Sequence, residues 1–239
     1  MDRTEYLLER WEDQRAIKNM MGKMTLVKMR NDDGDIFDTF WAHQEDVCLG
    51  FNDGWYVGAA AVKGYYDAVV ERNMLVAKTL QAAFPEKLGD KTDEELYSTG
   101  PYRITPMYYP VIEVAGDRKT AKGHWPCFGM HSEIDAAGPV ANWTWGYIVA
   151  DFVREGDEWR IWHLCYLNDV DSIMGQSWGK PEVSYPELPE FAPLKDFSYP
   201  PYSVSQTLRE YYRPDRPVTE APPLPEPYET FAETFSYGI

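Results

Sequence analysis

An α+β domain followed by a long extended C-terminal tail is the architecture this sequence predicts. Three observations carry it. Apolar residues recur at helical spacing before residue 85, they alternate with a period of two from 104 to 166, and beyond 181 the chain becomes dense in proline and aromatic residues. Helices first and an antiparallel meander afterwards is the order that places helices on one face of a sheet.

The elements follow in sequence. Leu7, Trp11, Ile17, Met20, Met21, Met24 and Val27 recur at three- and four-residue steps and predict a helix from Thr4 to about Arg30. The run Asn31 to Asp35 breaks it, and a short helix Ile36–His43 follows. Asp46 to Phe51 predicts a strand closed by Asn52-Asp53-Gly54, a hairpin signal, with Trp55 to Gly58 returning. Residues 59–84 are again helical in pattern, with Val62, Tyr65 or Tyr66, Val69, Leu75 and Leu80 on one side. Pro85 to Pro101 lacks periodicity and predicts a surface insertion. Four strands are then expected over Ile104–Val114, Thr120–Glu133, Trp143–Arg154 and Trp159–Tyr166, joined at Ala115-Gly116-Asp117, Asp135–Asn142 and Glu155-Gly156-Asp157. The domain boundary is placed at residue 171, with 172–239 as the tail. Twelve of the eighteen prolines fall between Pro181 and Pro227, yet the same stretch holds Tyr185, Phe191, Phe197, Tyr199 and Tyr202. A disordered linker lacks aromatics, so the tail is expected to pack on its own domain or on a neighbouring subunit, with a short helix around Ser205–Tyr211.

Composition bounds the function. The 239 residues include 23 basic and 39 acidic side chains, a net charge of −16. Such a field repels phosphate polymers and anionic bilayers, so neither nucleic acid nor membrane is an expected partner. No window approaches eighteen apolar residues. The opening MDRTEYLLERWEDQ lacks an apolar leader region, and Cys48, Cys127 and Cys165 are odd in number and widely spaced. A cytoplasmic protein with buried free thiols is the expectation. No HxH, HxxxH or HExxH spacing, no glycine-rich phosphate loop and no GxSxG elbow occurs, so no metal and no organic cofactor is expected.

Several strings in order resemble the SnoaL-like branch of the nuclear transport factor-2-like superfamily, which includes scytalone dehydratase and bile acid dehydratase. They are Arg15-Ala16-Ile17, Phe40-Trp41-Ala42 before Asp46-Val47, Gly54 to Gly58 before the long helix, Val111 to Asp117 with Ala121, and Asp151 to Ile161. The likeness spans about residues 10–170. It implies a cone: a strongly curved antiparallel sheet wrapped around the N-terminal helices, with a deep internal pocket. It also implies cofactor-free lyase or isomerase chemistry, assembly as a dimer or trimer, and, as alternatives, a non-catalytic small-molecule or protein-binding cone, or an accessory subunit like the small subunit of ring-hydroxylating dioxygenases. The chain departs from the family where dehydratases carry a Tyr and an Asp on the first helix: Met24 to Met29 reads MTLVKM. Thr105 stands near the place of the family's strand histidine.

Histidine takes and returns protons near neutrality. The inward face set by Ala121 continues through Gly123, Trp125, Cys127 and Gly129 to His131. On the last strand Trp159 and Ile161 lead to His163. His131 and His163 are thus the expected acid/base groups. Asp151 is the preferred carboxylate partner over Glu113, and Tyr147 or Tyr109 is a candidate to polarise a carbonyl oxygen. Pro126 signals a bulge that can shift this parity. Tyr109, Trp125, Trp143, Trp145 and Trp162 are the expected substrate-binding aromatics, with Trp143, Trp145 and Tyr147 on a common face. As a set they fit a flat or polycyclic apolar substrate.

Overall fold

The computed structural model describes residues 2–175 and 186–239. Helix α1 (Arg3–Met29) buries Ile17, Met21 and Met24 at steps of four and three. Asn31, at φ 57°, turns the chain back after it, and α2 (Ile36–Phe40) packs Ile36 and Phe40 into the core. Strands β1 (Cys48–Phe51) and β2 (Gly54–Val57) form the expected hairpin over Asn52-Asp53. Helix α3 (Ala59–Ala83) packs Val62 and Tyr66 into the same core as α1.

The segment 85–101 is not the featureless insertion its composition suggested. It holds α4 (Pro85–Leu88) and α5 (Asp93–Leu96). A reciprocal capping box starts α5: the Thr92 hydroxyl accepts from the Glu95 N–H, and the Glu95 carboxylate accepts from the Thr92 N–H. Leu96, fully buried, pins it to the domain.

The strand expected over 104–114 is divided into β3 (Tyr102–Ile104) and β4 (Val111–Val114). Pro106 and Pro110 lie between them and cannot donate to a ladder. Three long strands follow: β5 (Thr120–Asp135), β6 (Gly138–Glu155) and β7 (Glu158–Ile173). A two-residue turn, Ala136-Ala137, replaces the longer loop expected there; Gly138 supplies the positive φ of 91°. Strand β7 runs past residue 171, so the expected domain boundary falls inside it.

The sheet order is β3-β5-β6-β7-β1-β2, with β4 also on β5. Strand β1 runs parallel to β7, so the sheet is mixed and not wholly antiparallel. It is curved and unclosed around α1 and α3. One further strand, β8 (Val204–Ser205), joins the free edge of β2 from the tail. Residues 205–211 are not helical; the Leu208 N–H instead donates to the Asn52 carbonyl at 2.7 Å. Pro181 and Tyr185 lie outside the described residues. From 186 onward the chain is extended apart from two 3₁₀ turns, Pro189–Leu194 and Phe231–Glu233.

The sheet therefore has two covered faces. The inner one joins Ala121, Trp125, Ile148, Ala150, Phe152 and Ile161 to the helices. The outer one joins Cys48, Trp55, Val149, Cys165 and Leu167 to Tyr237 of the tail. All three cysteines are free and buried. Among the described residues no helix is long and apolar enough to cross a membrane.

Candidate active site

The helices do not fill the cone. A cavity of about 280 Å³ remains between the end of α1, the middle of α3 and the far halves of β5, β6 and β7. Helical spacing explains the contribution of α1. Met24 faces inward, and Lys28, four residues on, lies on the same side one turn nearer the mouth. The turn at Asn31 folds Asp33 back beneath it, only 1% exposed. Helix α3 adds Tyr65 and Tyr66, β3 adds Arg103, β5 adds His131 and Glu133, and β7 adds Tyr166 and Asp171. Tyr199 of the tail closes one side, stacked on Tyr65 with centroids 5.7 Å apart.

Charges at this depth are mutually arranged. The Lys28 ammonium donates to the Tyr166 hydroxyl at 3.0 Å and sits 4.2 Å from the centre of that ring. Burial pushes its pKa down to about 8; Asp33 opposes that shift and Arg103 adds to it. Burial likewise raises the Asp33 carboxyl above its ordinary range, against the pull of Lys28 and Arg103. Arg103 spans the group: its guanidinium lies 3.4 Å from Asp33 Oδ2, donates to Asn73 Oδ1 at 2.7 Å and reaches Glu133 at 3.8 Å. Across the cavity, burial raises the Asp171 carboxyl, and the His131 imidazole opposes it. The phenols of Tyr65, Tyr66 and Tyr166 are pushed up by burial and stay protonated. A carboxyl poised to take a proton, an amine poised to lose one, neutral phenols and an imidazole all face one small space. That is the equipment of proton transfer.

His131 is the one expected catalytic residue that lines this cavity. Parity along β5 holds through Pro126, because the pairing of β5 with β6 runs without a shift from Thr120↔Val153 to Asp135↔Gly138. His163 and Asp151 lie on the other face, and the cause is local. The β6–β7 register shifts between Asp151 and Phe152, so Phe152 pairs with Ile161 while Asp151 pairs with His163. Trp162 is the extra residue. The resulting bulge keeps Ile161 inside and turns His163 out. The His163–Asp151 contact itself is present, Nδ1 to Oδ2 at 2.8 Å. It forms part of a buried cluster in which Asp151 also accepts from Lys122 Nζ at 2.6 Å, the Ser236 hydroxyl at 3.0 Å and the Tyr237 N–H at 2.7 Å. Sealed under the tail, this cluster clamps the C-terminal segment.

The expected aromatic wall is corrected as well. Trp143, Trp145 and Tyr147 share a face, but Thr144 and Ile148 are the β6 residues that line the cavity, and the aromatics alternate with that inward face on the outside of the sheet. Tyr147 lies over His124 and under Arg209 of the tail. Trp145 is half exposed beside Phe128. Trp125 is core, edge-on to Phe152. Trp162 donates to Asp46 at 2.8 Å and stacks on His163. Tyr109 is 87% exposed in the proline-flanked loop between β3 and β4, at φ 40°. Glu113 pairs with Arg10 of α1. Among the described residues no cluster of three or more His, Cys, Asp or Glu side chains is placed to hold a metal ion.

No protein-family model matches the sequence, and no curated protein matches it. Solved structures do. The hexachlorocyclohexane dehydrochlorinase LinA-type3 from Novosphingobium barchaimii is similar over 71% of this chain and 95% of its own, with 11% identity and a TM-score of 0.50. A candidate scytalone dehydratase from Novosphingobium aromaticivorans is similar over 73% and 99%, with 12% identity and a TM-score of 0.48. A nuclear transport factor-2-like protein with a cystatin-like fold from the same organism is similar over 74% and 92%, with 15% identity and a TM-score of 0.41. At these identities the likeness is one of fold alone: the chain shares with the dehydrochlorinase an α+β architecture, a curved and unclosed sheet around N-terminal helices.

Proposed function

We propose that the cone is the active site of a lyase or isomerase that works by acid/base chemistry on a small ring compound. The observation that carries this reading is the cavity in which the Asp33 carboxyl, the Lys28–Tyr166 pair, His131 and Asp171 face a common space. Asp33, its proton affinity raised by burial, takes a proton from the carbon next to a carbonyl. Lys28 and Tyr166 donate to the oxygen where negative charge develops. His131 returns a proton to the departing group or to the new carbon. Arg103 fixes the Asp33 carboxylate from one side and leaves its other oxygen for substrate. These residues supply both acceptor and donors, so the proposed step calls for no added group.

The cavity bounds the substrate. About 280 Å³ lies at the small end of the usual ligand-pocket range of roughly 300–1,000 Å³. Its walls combine phenols and charges with Met29, Phe51, Val69, Cys127 and Ile148, in place of the indoles expected from the sequence. A one- or two-ring molecule bearing a carbonyl and a hydroxyl or halide fits it better than an extended polycycle. One similar structure is named a hexachlorocyclohexane dehydrochlorinase, but a shared fold does not transfer an activity.

The test is turnover of a panel of cyclic β-hydroxy and β-halo ketones, followed by absorbance of the conjugated product. Asp33→Asn and His131→Gln are each expected to lower kcat by about 10²–10⁴, with binding of a non-reactive analogue held within a few-fold. Unchanged turnover in Asp33→Asn would remove the proposed base. Saturable binding with no turnover of any panel member would make the cone a binding protein.

A further inference from the structure

Lys28 is the only lysine on the cavity wall among the described residues. Its burial sets it apart from the half-exposed, paired lysines of the surface. Lys63, Lys91 and Lys195 each pair with a carboxylate, Asp38, Glu95 and Glu187 respectively. No carboxylate oxygen lies within ion-pair distance of Lys28 among the described residues; its hydrogen bond goes to a neutral phenol, Tyr166, at 3.0 Å. The charged groups that face it are Asp33 and Arg103, of opposite sign. An amine held this way, deep and without a counter-ion, is readily freed of its proton and becomes a nucleophile.

We propose that Lys28 forms an imine with the carbonyl carbon of an aldehyde or ketone bound in the cone. This rests on the acid/base reading of the same cavity and replaces the hydrogen bond from Lys28 to the carbonyl oxygen with a covalent bond to the carbonyl carbon. The Nζ lone pair attacks the carbonyl carbon, a C–N bond forms, and the carbonyl oxygen receives a proton that leaves the nitrogen. The Tyr166 hydroxyl, already hydrogen-bonded to Nζ, relays it. The proton that the ammonium gave up to solvent to free the lone pair returns to the new hydroxyl, the C–O bond breaks, and water departs. One ammonium and one carbonyl thus give one protonated imine and one water, with nothing oxidised or reduced. The positive nitrogen then acidifies the adjacent C–H, which is the bond Asp33 is placed to break. Geometry supplies the amine, the relay and the base; the amine's pKa of about 8 adds that a useful fraction is neutral at physiological pH.

The experiment uses the full-length protein, benzaldehyde as the carbonyl probe and cyanoborohydride to reduce any imine, with peptide mass spectrometry reading each lysine at pH 7. Lys28 is expected to acquire the benzyl group at least about tenfold faster than Lys63 or Lys195, since each unit of lowered pKa raises the neutral fraction about tenfold. The rate should saturate with probe concentration and fall in the presence of benzyl alcohol. Tyr166→Phe should slow Lys28 labelling while its circular dichroism stays that of the parent; Lys28→Met should abolish the site-specific product. Labelling of Lys28 at or below the surface-lysine rate overturns the proposal. If benzyl alcohol binds saturably while Lys28 stays unlabelled, the imine falls and the acid/base site stands. If Lys28 labels but Asp33→Asn turns over like the parent, the imine stands and the assigned base falls.

Discussion

Lys28 and Asp33 each hold a charge where burial opposes it, so the site lowers the stability of the fold that carries it. The Lys28 pKa is about 8 in the folded chain against about 10.4 for a free lysine. Between those values the unfolded chain binds more protons, so stability rises with pH across roughly pH 8–10.5, and the full penalty is present below pH 8. Lys28→Met removes the penalty. It is expected to stabilise the protein at pH 7 by roughly 1–2 kcal/mol, discounted for the water in the cavity. The gain should shrink toward zero above about pH 10.5, as urea midpoints at several pH values would show; a loss at pH 7 would contradict it. The outer cluster behaves oppositely. Lys122 and Asp151 are both fully buried, and the Lys122 ammonium also lies 4.5 Å from the Phe231 and Phe235 ring centres. Asp151→Ala leaves a buried cation without its anion and is expected to cost about 3–5 kcal/mol, while the double change Lys122→Met, Asp151→Leu recovers much of it. Equal midpoints for the single and double variants would refute that coupling. The inner site was partly legible at this scale. The family resemblance points to Met24, whereas Lys28, one helical turn on and on the same face, lines the cavity and carries the proposed chemistry. Asp33 lay hidden in a run that reads only as a helix breaker.

The strands show why parity reasoning succeeded on β5 and failed on β7. A two-residue period is reliable until one strand carries an extra residue, and nothing in Ile161-Trp162-His163 announces one. Proline was the wrong signal: Pro126 sits in an unbroken ladder, and both irregularities fall on β7, opposite Asp151/Phe152 and Trp145/Gly146. The second of these has a sequence trace in Gly146. A Cβ there would lie 2.1 Å from the Leu167 carbonyl oxygen and 2.7 Å from Asn168 Cα. The obstacle is backbone, which cannot swing aside as a side chain can. Glycine at 146 therefore permits the bulge that returns Asn168 and Asp171 to the cavity wall. Gly146→Ala is expected to destabilise by roughly 2–4 kcal/mol through a forced shift of β7, and to weaken ligand binding in the cavity more than Gly22→Ala, where open space surrounds the new methyl. Parental stability in Gly146→Ala would show that β7 yields freely. In the segment 85–101 the missed signal was present: Thr92-Asp93-Glu94-Glu95 is a capping-box string, and only its charge density disguised a helix start.

The whole molecule is a cone with a long strap, and the strap touches both of its faces. Near residue 199 it closes the cavity through Tyr199, which stacks on Tyr65, while Tyr202 packs on Tyr56 with centroids 5.0 Å apart. At 204–205 it extends the sheet. Beyond 208 it crosses the outer face, where Arg209 pairs with Asp169, and it ends in the cluster around Asp151. The rings spaced along a proline-rich chain made some such strap readable from composition, since proline reduces the freedom an extended chain must lose and each buried ring returns apolar area. Its route was not readable, because contacts over more than a hundred residues leave no local pattern. The route yields a test that separates the strap's structural end from its functional middle. A chain ended before Tyr228 keeps Tyr199 and β8 but loses Tyr228, Phe231, Ser236 and Tyr237. Asp151 then loses two hydrogen-bond donors, and Lys122, Val149 and Cys165 lose their cover. The expected cost is several kcal/mol, a fall in Tm of roughly 5–15 °C for a chain of this size, with new binding of a hydrophobic dye. Ligand affinity of the cavity, measured well below the lowered Tm, should change less than threefold, because the sheet stands between the cut and the cavity. An unchanged Tm would mean that the last twelve residues merely rest on the cone. An affinity that collapses while the fold persists would mean that the two faces of the sheet are coupled, and that the cluster around Asp151 belongs to the site after all.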